Sequence, residues 1–235
     1  MNAPSSVIYR RGQIEWALWR FFSVGRADPG TAPVLFLTRI KRLLELDRTS
    51  EYPSDSEAPT SRYCFSDVAP EGHGVDVPYT PFNAFVLGLG LDLLDVGFKQ
   101  SEIVFLLRHI RRDLEREFTK ILSNPPSPRQ RMAAVDHPEC PTYEEDGHSW
   151  ADCRVFMIVT KVEVTEVFPA STRRSFRNKP LIHAPRFCRG IVALRNELHR
   201  MNFRYRKALV LELAEMAVQI LGHLDDAPDV KRGRK

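Results

Sequence analysis

The feature that most constrains the fold is a pair of apolar helix patterns on either side of Gly97. Thr80 followed by Pro81 is typical of a helix start, because a hydroxyl caps free backbone amides and proline fits the first turn. Gly97 can adopt the left-handed conformation that ends a helix. Three-to-four spacing of apolar residues on both sides of it predicts two packed helices. The first pattern has Phe82, Phe85, Val86, Leu89, Leu93 and Val96, and the second has Ile103, Leu106, Leu107, Ile110, Leu114 and Phe118.

Two further helices are predicted nearer the N-terminus. Arg11–Phe22 is apolar on most sides, which is typical of a buried helix, and Val34–Asp47 is apolar on one side. The segment 48–78 is rich in Ser, Pro and acidic residues and is predicted to be an irregular loop. We therefore expect a helical domain over residues 1–122, with a hairpin or helix-turn-helix core at 80–118.

A strand is predicted in the second half of the chain, after a proline-containing linker at 123–150. Arg154–Phe168 is dominated by β-branched and aromatic residues, which favour an extended conformation. Three partners are open for this strand. They are the segment "RYCFSDV" (62–68), a piece around Leu181–His183, and the same strand in a second copy of the chain.

A long C-terminal helix is predicted from Cys188 to Leu224, as two helices or as one helix that changes its buried side. The strand and this helix would form a second domain over 151–224, followed by a basic tail at 225–235. The expected fold class is therefore mainly α with a small β element (α+β).

Composition favours a soluble protein of the cytoplasm. The apolar share of 43% and the charged share of 27% are ordinary for a globular chain. The N-terminus has no charged leader followed by an apolar run, and the longest apolar run stops at Asp92, so neither a secretory signal nor a membrane span is expected. Scattered cysteines favour free thiols in a reducing compartment. They are Cys64, Cys140, Cys153 and Cys188.

Positive charge is concentrated in Ser171–Lys207. The whole chain has a net charge of only +4, but this segment has eleven basic residues and one acid, Glu197. Clustered arginines neutralise phosphates, and the interspersed aromatics can stack on bases, so the segment predicts nucleic-acid binding. The alternatives are an acidic protein partner and a solvated basic face. The basic residues are Arg173, Arg174, Arg177, Lys179, Arg186, Arg189, Arg195, Arg200, Arg204, Arg206 and Lys207.

The helix pair also resembles a known DNA-binding segment. Residues 91–107 are similar to the part of MerR-type transcriptional regulators in which a helix, a Gly-Phe turn and a second helix follow the DNA-reading helix. The resemblance implies a helix-turn-helix and a role in transcription. The matching positions are Gly97, Phe98, Glu102, Ile103, Leu106 and Leu107.

In a helix-turn-helix, the helix after the turn shows polar side chains to the major groove. Gln100 and Arg108 suit base contacts and Lys99 suits a phosphate, while Arg111 and Arg112 would add a second contact surface. The alternative is a helical hairpin whose arginines are solvated or touch phosphate. The positions expected to face outward are Lys99, Gln100, Ser101, Val104, Phe105 and Arg108.

A metal site is a weaker possibility. His137, Cys140, His148 and Cys153 have zinc-binding side chains, but the paired short spacings of a zinc finger are absent, and the favoured alternative is an acidic exposed loop with incidental His and Cys. Two glycines in "GLGLDLL" do not complete a dinucleotide fingerprint, and no nucleophile motif occurs. We therefore expect neither a cofactor nor an enzyme.

These features predict a DNA-binding protein, either a transcriptional regulator or a DNA-organising factor, that forms a homodimer through its C-terminal helix. The residues assigned to nucleic acid are Lys99, Gln100, Arg108, Arg111, Arg112, Arg173, Arg174, Arg177, Lys179, Arg186, Arg189, Arg200 and Arg204. The alternative is a non-catalytic interaction module in which the arginines meet an acidic protein partner. Its exposed apolar contacts would be Trp16, Trp19, Val104 and Phe105.

Overall fold

The computed structural model describes residues 7–23, 30–50, 63–68, 77–125, 142–145, 148–160, 184–201 and 208–229. The chain forms two compact units. Unit 1 comprises Met1–Glu115 together with Gln219–Lys235, and unit 2 is Arg116–Val218. The predicted division at 122 and 150 was made from composition and stays a prediction.

Unit 1 is built from helices. In chain order they are α1 (Arg11–Phe22), α2 (Val34–Thr49), α3 (Pro81–Asp95), α4 (Gln100–His109) and the start of α5 (Arg111–Ser123).

Unit 2 contains the described strands. In chain order its elements after α5 are β1 (Thr142–Glu145), β2 (His148–Ala151), β3 (Val155–Val159), β4 (Arg186–Arg189), α6 (Gly190–Arg200), β5 (Leu209–Glu212) and the start of α7 (Ala214–Asp225).

Helix α3 begins where the sequence predicts it. The Asn83 backbone amide donates to the Thr80 hydroxyl (3.2 Å), and the Thr80 amide donates to the Asn83 side-chain carbonyl (2.9 Å). These reciprocal bonds satisfy amides that the helix itself leaves free. Most side chains of α3 are buried, and it packs on α1, α2 and α4. Helix α3 is therefore the centre of unit 1.

The turn after α3 forms at Gly97, whose φ of 91° lies in the left-handed region. The Phe98 amide donates to the Leu93 carbonyl (3.0 Å), which closes the helix end. Helix α4 has Lys99, not Ser or Thr, at its N-cap position. The Glu102 carboxylate accepts the Lys99 backbone amide there (2.8 Å). The predicted second helix continues as α4 and α5, with one non-helical residue, Ile110, between them.

Strand β3 is the middle of a three-stranded antiparallel sheet of order β4-β3-β5. Phe156 lies opposite Cys188 on β4 and opposite Glu212 on β5. All five residues of β3 are buried, so both faces of this strand are covered, because successive side chains point to opposite faces of the sheet. Of the predicted partners, the described residues 63–68 form no strand, so that alternative was wrong, and Leu181–His183 lies outside the described part. Pairing with a second copy of the chain stays a prediction. Residues 161–168 of the predicted strand lie outside the described part.

The described part of the predicted C-terminal helical segment contains two helices, as one of the two alternatives has it, but a strand that was not predicted lies between them. In chain order these elements are α6, β5 and α7. Val210 and Leu213 fit a helical spacing, but Leu209–Glu212 pairs with Phe156–Val159, and the buried Leu213 directly precedes α7. Tertiary pairing has overridden a local pattern that was compatible with both conformations.

The structure confirms a mainly helical fold with a small antiparallel sheet, but it does not confirm a helix-turn-helix core. No helix in the described residues is long and apolar enough to cross a bilayer. Cys64, Cys153 and Cys188 are free thiols, and Cys140 lies outside the described residues.

Two glycines test the turn at Gly97. A Cβ at Gly97 or at Gly222 of α7 would meet nothing within 4 Å, so substitution by alanine acts only through the backbone. Gly97→Ala should lower the free energy of unfolding by about 1 kcal/mol or more, because its φ is positive. Gly222→Ala should raise it by about 0.5 kcal/mol, because alanine is the better helix former. Urea denaturation of both variants measures this, and equal effects would contradict the assigned turn.

Candidate nucleic-acid interface

Helix α6 starts at Gly190 because a carboxylate from the β2–β3 connection caps it. Asp152 accepts the Ile191 backbone amide (2.9 Å) and two nitrogens of the Arg154 side chain (2.8 and 2.6 Å). Burial alone would raise the pKa of Asp152, but hydrogen bonds from Arg154 and from the Ile191 amide outweigh it and hold that pKa below its ordinary value. The charged carboxylate thus fixes the N-terminus of α6.

One side of α6 packs on the sheet. Leu194 is buried in a cluster with Phe156 and Ile158 of β3 and Cys188 of β4. Ile191, Ala193, Met201 and Val210 pack around the cluster. This contact determines which side of α6 faces solvent.

The solvent side of α6 is largely polar and basic, although Leu198 is also exposed (44%). Arg195, Asn196, His199 and Arg200 are all exposed. At roughly 100° per residue, these four side chains occupy one half of the helix, opposite Leu194. We call these four residues the α6 basic face. Its side chains can donate hydrogen bonds and, for the two arginines, attract an anion.

Arg186 of β4 lies at the edge of this face. It contacts the Glu197 carboxylate (2.5 Å), which also contacts Arg200 (3.0 Å). The hydrogen bond from Arg186, followed by that from Arg200, lowers the pKa of Glu197 despite some desolvation. Glu197 therefore remains charged at neutral pH, and the basic residues outnumber it.

Arg189 belongs to a different contact. Residues 186 and 189 of a strand point to opposite sides, and Arg189 donates to Glu117 of α5 (2.8 Å), which also accepts from Lys120 (2.8 Å). Burial would raise the pKa of Glu117, but these hydrogen bonds lower it. The structure thus brings Arg186 and Arg200 together and directs Arg189 elsewhere. Arg173, Arg174, Arg177, Lys179 and Arg204 lie outside the described residues.

Arg108 is not on a DNA-facing surface, which corrects the prediction made from its helical position. Its side chain is 3% exposed and donates to the Asp47 carboxylate (2.8 Å) and to the Ser50 carbonyl (3.0 Å). Asp47 also accepts the amides of Cys64 (3.0 Å) and Phe65 (3.1 Å). A guanidinium held in this way cannot reach a base edge.

Arg111 is likewise buried, at 4% exposure, and corrects the predicted second contact surface. It donates to the Cys64 carbonyl (2.6 Å), forms an ion pair with Asp67 and lies over the Phe82 ring (5.1 Å). We call Asp47, Arg108 and Arg111 the buried charge cluster, and Asp67, whose side chain is 36% exposed, lies at its edge. Together with Phe65, which packs against Gly90 of α3, the cluster holds residues 63–68 in unit 1.

The other positions of the predicted reading helix are mixed. Lys99 and Arg112 are exposed, and Gln100, Ser101 and Phe105 are partly buried. Val104 is fully buried, so it neither faces a groove nor offers an apolar protein contact. Trp16 and Trp19, the other contacts proposed for a protein partner, are also partly buried. These exposures therefore support neither base reading by α4 as predicted nor the predicted apolar contacts with a protein partner.

The weak metal prediction gains no support from the described residues. No group of three or more His, Cys, Asp or Glu side chains there could hold an ion. His137 and Cys140 lie outside the described residues, and His148 is described only as part of β2. Cys153 is partly buried, and burial followed by the nearby charges of Asp152 and Glu212 raises the pKa of its thiol.

Removal of the Asp47 carboxylate from the buried charge cluster should have a large effect on stability. Asp47→Ala should lower the free energy of unfolding by about 3–5 kcal/mol, because Arg108 would remain buried without its counter-ion. Glu45→Ala is the control on the same helix. Glu45 is 56% exposed and pairs with Lys41 at 3.5 Å. Exposed pairs of this kind contribute at most about 0.5 kcal/mol. Similar urea midpoints for both variants would contradict the assigned role of Asp47.

A second prediction concerns pH and Asp92. Burial, followed by repulsion from Asp95, raises the pKa of Asp92 to about 6. A raised pKa in the folded state means that stability falls as the pH rises from about 4 to about 6. Asp92→Asn should therefore raise the free energy of unfolding at pH 7 by on the order of 1 kcal/mol, after allowance for partial exposure, and change little near pH 3.5. Denaturation at both pH values tests this, and an equal effect at both would contradict it.

Comparison with known proteins gives no match. No protein-family model matches the chain, no curated protein matches its sequence, and no solved structure matches its fold. The resemblance of residues 91–107 to MerR-type regulators therefore stays a prediction.

Proposed function

We propose that this protein binds nucleic acid through the phosphate backbone, with the α6 basic face as part of the contact surface. The observation that carries the proposal is the exposure of Arg195, Asn196, His199 and Arg200 on one half of a helix whose other side is fixed to the sheet. Arginine is suited to this contact, because its planar fork donates two hydrogen bonds to a phosphate.

Sequence on both sides of the described segment supports a larger basic surface. Residues 184–201 have four arginines and one acid, Glu197. Arg173, Arg174, Arg177 and Lys179 precede this segment, and Arg204, Arg206 and Lys207 follow it. Phosphate contacts of this kind give affinity and position without reading sequence.

Duplex DNA is the proposed ligand, and a regulatory or DNA-organising role is the proposed context. Base reading by α4 is not part of the proposal, because Arg108 and Val104 are buried. Dimerisation through a continuous C-terminal helix is also left out, because β5 interrupts that helix. The interaction-module alternative is less favoured, since Val104 is unavailable to a partner.

The double variant Arg195→Gln with Arg200→Gln tests the proposal. Both side chains are exposed, so the fold should be retained. Loss of two phosphate contacts should weaken binding to a labelled DNA duplex on the order of 10-fold at low salt and reduce the slope of log affinity against log salt by about 2. Fluorescence anisotropy over a salt series measures both quantities.

Arg39→Gln with Arg42→Gln is the matched control. Both arginines are exposed on α2, and the net charge changes by the same amount. This control should bind nearly as the wild type does. Equal loss in the two double variants would show a response to net charge alone. Absence of binding by the wild type to any duplex or single strand in dilute buffer would contradict the proposed function itself.

A further inference from the structure

One carboxylate forms ion pairs with two arginines of the proposed interface. The Arg186 side chain is 57% exposed and reaches one oxygen of Glu197 at 2.5 Å. The Arg200 side chain is 73% exposed and reaches the other oxygen at 3.0 Å. Glu197 itself is 19% exposed on its side chain. The two guanidinium groups thus converge on a pair of anionic oxygens at the protein surface.

This arrangement has the geometry that a phosphate group requires. Carboxylate and phosphate oxygens accept the same charge-assisted hydrogen bonds from guanidinium groups. Glu197 and Arg200 are three residues apart on α6 and therefore neighbours on its surface, while Arg186 approaches from β4. A phosphate that contacts Arg186 or Arg200 must share them with Glu197 or replace its carboxylate.

We propose that Glu197 is a built-in competitor of the nucleic acid, which holds Arg186 and Arg200 in the free protein and yields them to a phosphate on binding. The inference rests on the proposed function and deepens it, because it names a residue that limits affinity at the same surface. The exchange forms and breaks only ion pairs and hydrogen bonds.

The exposure of both arginine side chains and the partial exposure of Glu197 make the exchange feasible. Pairs between exposed side chains contribute little to stability, so giving them up costs little. The contact of Arg189 with Glu117 differs, because the Glu117 side chain is only 8% exposed and also accepts from Lys120. Breaking that contact would leave a buried carboxylate with fewer partners. Glu197 is therefore the better placed of the two acids for displacement.

The test is Glu197→Gln in the full chain, with anisotropy of a labelled DNA duplex as the measurement. Glutamine keeps the size of the side chain and removes its charge. Affinity at low salt should rise about 3- to 10-fold, the gain expected from releasing one or two exposed ion pairs. Glu45→Gln removes the same charge from an ion-paired glutamate of α2 whose side chain is 56% exposed, and it should change affinity less than about 2-fold.

A double-mutant cycle separates competition from a general change of charge. Glu197→Gln is introduced into the variant that carries Arg186→Gln and Arg200→Gln. If Glu197 acts by holding these two arginines, its removal should no longer raise affinity in that background. An equal gain in both backgrounds would overturn the inference, because the effect would then be long-range electrostatics.

A second variant at position 197 distinguishes loss of the ion pairs from a local change in folding. Glu197→Asp keeps the charge on a side chain that is one methylene shorter and should hold the two guanidinium groups less closely, so affinity should lie between the wild type and Glu197→Gln. Unchanged affinity in both Glu197 variants, with the wild type binding DNA, overturns the inference and leaves the proposed function standing. No binding by the wild type or by Glu197→Gln overturns both.

Discussion

Unit 1 depends on the ion pair between Asp47 and Arg108. Asp47 is at the end of α2, Arg108 is in α4, and the same carboxylate accepts two amides of residues 63–68. Buried charges are costly to desolvate, so such a pair is favourable only when its partners are complete. The cluster meets this condition, since within the described residues no buried side-chain nitrogen or oxygen lacks a hydrogen-bond partner. It therefore fixes α2, α4 and residues 63–68 in a single arrangement.

Local patterns predicted the helices of unit 1 well. The bounds of α1 agree with the prediction, and Thr80 and Pro81 located the start of α3, because capping and apolar spacing are properties of neighbouring residues. The burial of Arg108 and Arg111 could not be predicted in this way. Arg108 is 61 residues from Asp47, so its position on a polar helix face could not distinguish a phosphate contact from an internal ion pair.

In the candidate interface, too, the local sequence predicted some features, while others depend on contacts between distant residues. The excess of arginine in 171–207 pointed to the segment that contains α6, but a count of charges could not show that Arg186 and Arg200 share Glu197 while Arg189 turns to Glu117. Strand β5 was missed because four residues with apolar spacing fit either a strand or a helix. Only pairing with β3 resolves that choice. A single acid three residues before an arginine was the available signal for Glu197.

The order of strands in the sheet also bears on biosynthesis. Strand β3 is apolar throughout and leaves the ribosome before either neighbour, since β4 begins at Arg186 and β5 at Leu209. During that interval the nascent chain carries an apolar segment whose two edges have no strand partner, the kind of element that promotes aggregation. Translation that stalls or terminates between β3 and β5 would release a fragment that invites chaperone capture or proteolysis. Synthesis of β5 is thus the step after which both edges of β3 can be paired.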